Sequence, residues 1–134
     1  MKSAALQLQQ AVITLARPVL GSVPLYDGAP RNAQAPFASF DEITTKRKDG
    51  LMAMIEEHRF AIRLVSRAGG KREAVTLSDS VIAALDDARP PMPDHRTIRL
   101  YLDTSDSRLT KDRIAVETTL KFVCLTEPLV EPTA

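Results

Sequence analysis

The chain reads as an α+β domain: an antiparallel sheet of about four main strands with two helices packed on one face. Three observations predict it. Apolar residues recur at helical spacing in two segments, residues 6–19 and 74–85. They alternate with period 2 in three others, near residues 60–64, 98–102 and 114–122. The order helix, long loop, hairpin, helix, hairpin sends both helices to the same side of an antiparallel sheet.

Ser3 can cap a first helix in which Leu6, Val12, Ile13, Leu15 and Val19 form the apolar face, and Pro18 should end it near Arg17 by removing a backbone donor. Residues 19–36 hold Gly21, Pro24, Gly28, Pro30 and Pro36, a long irregular connection with room for one small strand at residues 23–26. A strand is expected at residues 37–45, near an edge of the sheet. Asp49-Gly50 then marks a hairpin turn. The returning strand, residues 54–66, should turn Phe60, Ile62 and Leu64 to the core.

Arg67-Ala68-Gly69-Gly70 breaks that strand. Ala74, Leu77, Ser78, Val81, Ile82 and Leu85 then mark one face of a second helix, which Asp86, Asp87 and Pro90 terminate. After Pro90, Pro91 and Pro93, a strand is predicted over residues 96–103 with Ile98, Leu100 and Leu102 on one face. Residues 104–112 read as a polar turn. A last strand over residues 113–125 directs Ile114, Val116, Thr118, Leu120 and Phe122 one way.

At 134 residues the chain fits one domain, assigned to residues 1–127, with 128–134 as a flexible C-terminal tail. Eighteen Lys and Arg against seventeen Asp and Glu leave a net charge of +1, too balanced for an avid nucleic-acid binder. No apolar run approaches the ~20 residues of a membrane span, and Met1-Lys2-Ser3 does not open a signal-peptide block, so synthesis in the cytoplasm is expected. The single cysteine, Cys124, cannot form an internal disulfide and reads as a small buried hydrophobe.

Catalytic and cofactor chemistry finds little support. His58 and His95 belong to no nucleophile–base motif, and one Cys with two distant His offers no metal-ligand spacing. Residues 103–107 superficially suggest a calcium loop, but Arg108 and Ile114 stand where Gly and Glu are required. The Ala68-Gly69-Gly70-Lys71-Arg72 run lacks the first Gly and the final Ser or Thr of a phosphate loop, and reads as a strand-to-helix turn. No cofactor and no metal are expected.

Partner binding is better supported. Lys46, Arg47, Lys48, Asp49 and Gly50 form a basic hairpin flanked by Leu51, Met52, Met54 and Ile55, adaptable apolar side chains that gain from being covered. Lys46, Arg47, Lys48, Asp49, Gly50, Leu51, Met52 and Met54 are therefore the candidate subunit or partner interface.

Three segments together resemble the tail-completion, or tail-terminator, proteins of long-tailed phages and gene transfer agents. They are Leu25-Tyr26-Asp27-Gly28-Ala29-Pro30 with Ala35-Pro36-Phe37, then Val65-Ser66-Arg67-Ala68-Gly69-Gly70-Lys71-Arg72-Glu73-Ala74, and Leu125-Thr126-Glu127-Pro128. The resemblance implies a structural, non-enzymatic subunit that forms a ring, typically a hexamer, on the tail tube. That ring would join the tube to the head-side connector or stopper protein and leave a lumen through which DNA only passes. It implies residence at the head-proximal end of the tail, assembly in the bacterial host cytoplasm, and no membrane partner. Val65 departs from the bulky aromatic often found there in the family. Two alternatives stand beside it: another head-to-tail connector ring, or a small enzyme with a pocket between helices and sheet lined by His58 or His95 and a carboxylate.

Overall fold

The computed structural model describes residues 3–49, 54–67, 69 and 71–129. Its elements run α1 (Ala4–Leu20), β1 (Leu25–Asp27), β2 (Phe37–Asp49), β3 (Met54–Arg67), α2 (Lys71–Leu85), β4 (His95–Leu109) and β5 (Ala115–Pro128). The sheet order is β1-β2-β3-β5-β4, antiparallel except for the short parallel pairing of β1 with β2. The α+β architecture is as expected, with the small strand β1 as a fifth member on the edge of β2.

Ser3 caps α1 by accepting a hydrogen bond from Leu6 N at 3.2 Å. The helix does not stop at Arg17; it continues through Pro18 to Leu20. Burial of Leu20 contributes roughly 1.5–3 kcal/mol, comparable with the ~3 kcal/mol that an interior proline costs. The buried face is also rotated from the one expected. Ala4, Leu8, Val12, Ala16 and Leu20 form an i, i+4 row toward the core, while Leu6 and Val19 face solvent. Alanines at two of those positions let the helix approach closely, and Gln7 is drawn inward by polar contacts to Asp94 and His95.

α2 buries Ala74, Leu77, Ser78, Val81 and Leu85, as its spacing predicts. Asp86 and Asp87 end it and tie it to β4: Asp86 Oδ1 accepts from Leu102 N at 2.9 Å, and Asp87, in the left-handed region at φ 67°, donates its N–H to Leu100 O at 2.9 Å. Beneath the helices, Phe40, Phe60 and Phe122 stack across β2, β3 and β5 at 5.1 and 5.4 Å between ring centroids. Ile62, Leu64, Leu100 and Leu120 complete that layer.

The strands are longer than their apolar alternation. β2 continues past Thr45, so Lys46, Arg47 and Lys48 are strand residues rather than a turn. Asp49 pairs with Met54, which excludes a two-residue Asp-Gly turn and assigns the connection to residues 50–53, outside the described residues. β4 extends through the stretch expected to be a turn because its polar residues pair with β5: Ser107 Oγ lies 2.7 Å from Thr118 Oγ1, and Arg108 reaches Glu117 at 3.4 Å. The actual turn is shorter, with Arg113 at φ 61°. Ile114 therefore precedes β5 in solvent instead of facing the core. Register shifts in β4 between Thr97 and Arg99 and between Leu102 and Thr104 break the expected face, so Thr97 and Leu100 are the buried pair. β5 runs on to Pro128, opposite His95.

Geometry then sets a limit. Strands of 13–15 residues span roughly 43–50 Å at ~3.3 Å per residue. Helices of 17 and 15 residues span only about 23–26 Å at 1.5 Å per residue. Neither helix can cover the sheet along its length, and the β2–β3 and β4–β5 hairpins overhang at opposite ends.

Candidate assembly interface

At the base of the β2–β3 overhang lies a polar layer, where Thr45, His58 and Thr126 come from three adjacent strands, His58 and Thr126 buried and Thr45 exposed. His58 is completely buried; its Nδ1 is 2.9 Å from Thr45 Oγ1 and its Nε2 is 2.8 Å from Thr126 Oγ1. One ring nitrogen donates and the other accepts, which two hydroxyls can satisfy for a neutral ring. Burial pushes the imidazole below its ordinary value. His58 thus anchors the hairpin.

Beyond this layer the candidate residues are spread along two strands. Lys46, Arg47 and Lys48 are exposed on β2, and Met54 is 58% exposed at the start of β3. Strand alternation places Lys46 and Lys48 on the face away from the helices, with Glu57, and Arg47 and Met54 on the overhanging helix-side face. Lys48 Nζ approaches Glu57 at 3.2 Å and Arg59 Nε approaches it at 3.1 Å. The Lys48 hydrogen bond, with Arg59 behind it, holds the Glu57 carboxyl below its ordinary range. Asp49 has its backbone in the ladder; Gly50, Leu51 and Met52 lie outside the described residues.

The open face of the sheet carries a groove of about 900 Å³ lined by Asp41, Glu42, Arg59, Asp103 and Lys121, among others. Ion pairs cross its strands: Arg63 bridges Asp41 at 3.1 Å and Glu117 at 3.7 Å, and Arg59 reaches Asp103 at 3.6 Å. This is broad, solvated surface suited to a macromolecular partner. Neither His58 nor His95 lines it. His95 is buried with Nδ1 3.0 Å from Gln7 Oε1. Cys124 is buried and its thiol is pushed up to about 12 by desolvation. The pocket with a convergent histidine and carboxylate that an enzyme would need is not seen among the described residues. Residues 103–107 lie within β4, which rules out the calcium-loop geometry. No helix among the described residues is long and apolar enough to cross a membrane.

Two of the three segments that carried the resemblance meet in space, while the third, Leu125-Thr126-Glu127-Pro128, lies at the other end of β5. Tyr26, Ala29, Ala35, Phe37 and Val65 meet with Ala115 in a second, smaller apolar cluster on the open side of the sheet. Tyr26 stands edge-on to Phe37 at 6.1 Å. Gly69 lies in the connection from β3 to α2, where Arg67 N and its guanidinium both donate to Glu73, at 3.2 and 3.1 Å; Ala68 and Gly70 lie outside the described residues. Residues 4–127 match the family described as tail completion protein gp17.

The chain belongs to the tail completion protein gp17 family. Membership makes it a structural protein of a phage-type tail. The fold of this tail completion protein is also seen in a chain from the solved structure of the virion of a native gene transfer agent particle. The two share 19% identity with a TM-score of 0.78, over 94% of this chain and 99% of that one. No curated protein matches the chain in sequence.

Sequence reasoning missed the second overhang. Val75, Leu109 and Ile114 are exposed at 58%, 55% and 70% at the end opposite the basic hairpin. Leu109 stands alone among polar residues, Val75 falls off the apolar face of α2, and only the fold brings the two to one groove.

Proposed function

We propose that this tail completion protein works as a tail terminator: a non-enzymatic subunit that forms a ring, a hexamer, on the end of the tail tube. The ring joins the tube to the head-side connector and encloses a lumen through which DNA passes. The observation that supports it best is the overhang. The β2–β3 hairpin extends past the last helix-covered layer with Lys46, Arg47, Lys48 and Met54 exposed, and a neighbouring copy supplies the cover that the chain lacks. In a ring every contact joins the same two different patches, so one projecting hairpin per subunit is sufficient to close it. A net charge of +1 suits a lumen that does not grip DNA. The fold shared with a chain of a gene transfer agent virion supports residence in such a particle, here at the head-proximal end of the tail.

The test is native mass measurement of the full chain, alone and with tail tube protein. The triple variant Lys46→Glu, Arg47→Glu, Lys48→Glu should remain monomeric while its unfolding midpoint moves little, since exposed substitutions usually change stability by about 0.5 kcal/mol or less each. Six-chain assembly by the parent, copurification with the tube, and loss of both in the variant are expected. A parent that stays monomeric with the tube protein present, or a variant that assembles like the parent, would overturn the proposal.

A further inference from the structure

At the end of the sheet opposite the basic hairpin, α2 and the β4–β5 hairpin enclose a groove of about 450 Å³. Ala74 and Val75 form its helical wall, Leu109 and Val116 its sheet wall, and Lys71 and Arg108 stand at its rim. Val75 and Leu109 are more than half exposed. Their exposure leaves two facing apolar walls in water, an arrangement that gains free energy when an apolar segment enters. Among the described residues Lys71 has no ion-pair partner, and Arg108 has only the 3.4 Å contact to Glu117.

We infer that this groove receives the Leu129-Val130-Glu131 segment of a second copy of the chain, Leu129 and Val130 entering between the apolar walls and Glu131 meeting Lys71 and Arg108. Three observations select that occupant. The segment is apolar and followed by a carboxylate, which complements a basic rim; the basic hairpin, with Lys46, Arg47 and Lys48 in sequence, matches it less well. Leu129 is held at the far end of the sheet, its N–H donating to Asp94 O at 2.9 Å, with its side chain 51% exposed. The donor cannot be the same chain. Val116 at the groove and Pro128 lie twelve positions apart on one strand, roughly 40 Å at ~3.3 Å per residue. Glu131 lies three residues beyond Pro128 and can reach only about 10 Å past it.

Groove and donor segment therefore sit at opposite ends of each subunit and make a head-to-tail contact between copies. The inference rests on the self-assembly proposed above but not on the basic hairpin or on ring order.

Disulfide trapping between full-length single-cysteine variants tests it. Cys124 is buried, with a thiol that stays protonated at pH 8, so it does not compete with introduced surface cysteines. Val75→Cys mixed with Val130→Cys should give a crosslinked dimer that neither variant gives alone, and adding Leu109→Glu to the first should reduce its yield at least about tenfold. Val19→Cys, exposed on α1, mixed with Val130→Cys is the control and should stay uncrosslinked. Restoration of crosslinking when Lys71→Glu meets Glu131→Lys, after loss with Lys71→Glu alone, would support the rim contact. If the parent assembles and the Val75–Val130 pair fails to crosslink, or crosslinks no better than the control, this inference falls while the terminator reading stands. If the parent never associates, both fall.

Discussion

Across the middle of the sheet, Phe40, Phe60, Ile62, Leu120 and Phe122 are buried under the helices. Toward the ends of the sheet β2 carries Lys46, Arg47 and Lys48 in solvent, and β4 carries Asp106, Ser107 and Arg108. Backbone pairing runs without interruption from one region into the other: β3 and β5 stay paired from Arg67 and Ala115 to Glu56 and Thr126. Register set by a buried centre propagates outward through hydrogen bonds and cross-strand polar pairs, so an overhang needs no apolar face of its own. What the comparison teaches is a division of labour. The covered region carries the folding free energy, and the overhangs contribute surface whose use lies between molecules.

The largest expected effect tests the first half of that statement. Phe122→Ala removes a ring that is 1% exposed and stacked on Phe60, and should destabilise the chain by about 3–5 kcal/mol in denaturant titration. Met54→Ala, on the overhang, should cost less than about 0.5 kcal/mol by the same measurement. Comparable losses at the two positions would break the distinction.

His58 marks the boundary, and its substitution should have an intermediate effect. His58→Gln keeps hydrogen-bonding capacity but changes ring geometry between Thr45 and Thr126, and should cost about 1–3 kcal/mol. It also carries a pH signature. Burial lowers the folded-state value of His58, so the unfolded chain takes up a proton near its ordinary value of ~6.5 before the folded chain does. The histidine's contribution is thus intact above that pH and declines as pH falls below it, with a slope of at most about 1.4 kcal/mol per pH unit. The variant should lack that slope between roughly pH 6.5 and 5. The lowered carboxylates Glu57, Glu73 and Asp112 titrate below this window, and the other histidine, His95, is present in both parent and variant. A parent and variant with parallel pH profiles would place His58 outside the boundary layer.

The same division explains what the amino-acid sequence discloses. α2 and β3 were legible because one face of each is apolar and the other polar, at periods of 3.6 and 2. The inner halves of β4 and β5 were legible for the same reason, apart from the register shift at Ile98, which moves Thr97 inward. The outer part of β4, with Thr104, Asp106 and Arg108 exposed, has no alternation to read, since both of its faces meet solvent. The buried row of α1 was hidden by Ala4 and Ala16, whose burial reflects close packing and not hydropathy. As for the candidate interface, the charge run at residues 46–48 was visible as a local motif. The apolar groove was not, because Val75, Leu109 and Val116 are brought together only by tertiary structure.

The smallest expected effect probes the covered region at its margin. Ser66 is 1% exposed on the helix-facing side of β3, and its hydroxyl has no hydrogen-bond partner among the described residues. Burying an unpartnered hydroxyl loses its water contacts without replacing them, whereas the Thr126 hydroxyl in the same sheet is held by His58. Ser66→Ala should therefore leave stability unchanged or raise it by up to about 1 kcal/mol, while Thr126→Val should lower it by about that amount or more. The two substitutions differ only in whether a partner is stranded. If Ser66→Ala instead costs more than about 1 kcal/mol in denaturant titration, its hydroxyl is engaged in the folded protein, and the polar groups at the margin of the core must be counted with those that stabilise it.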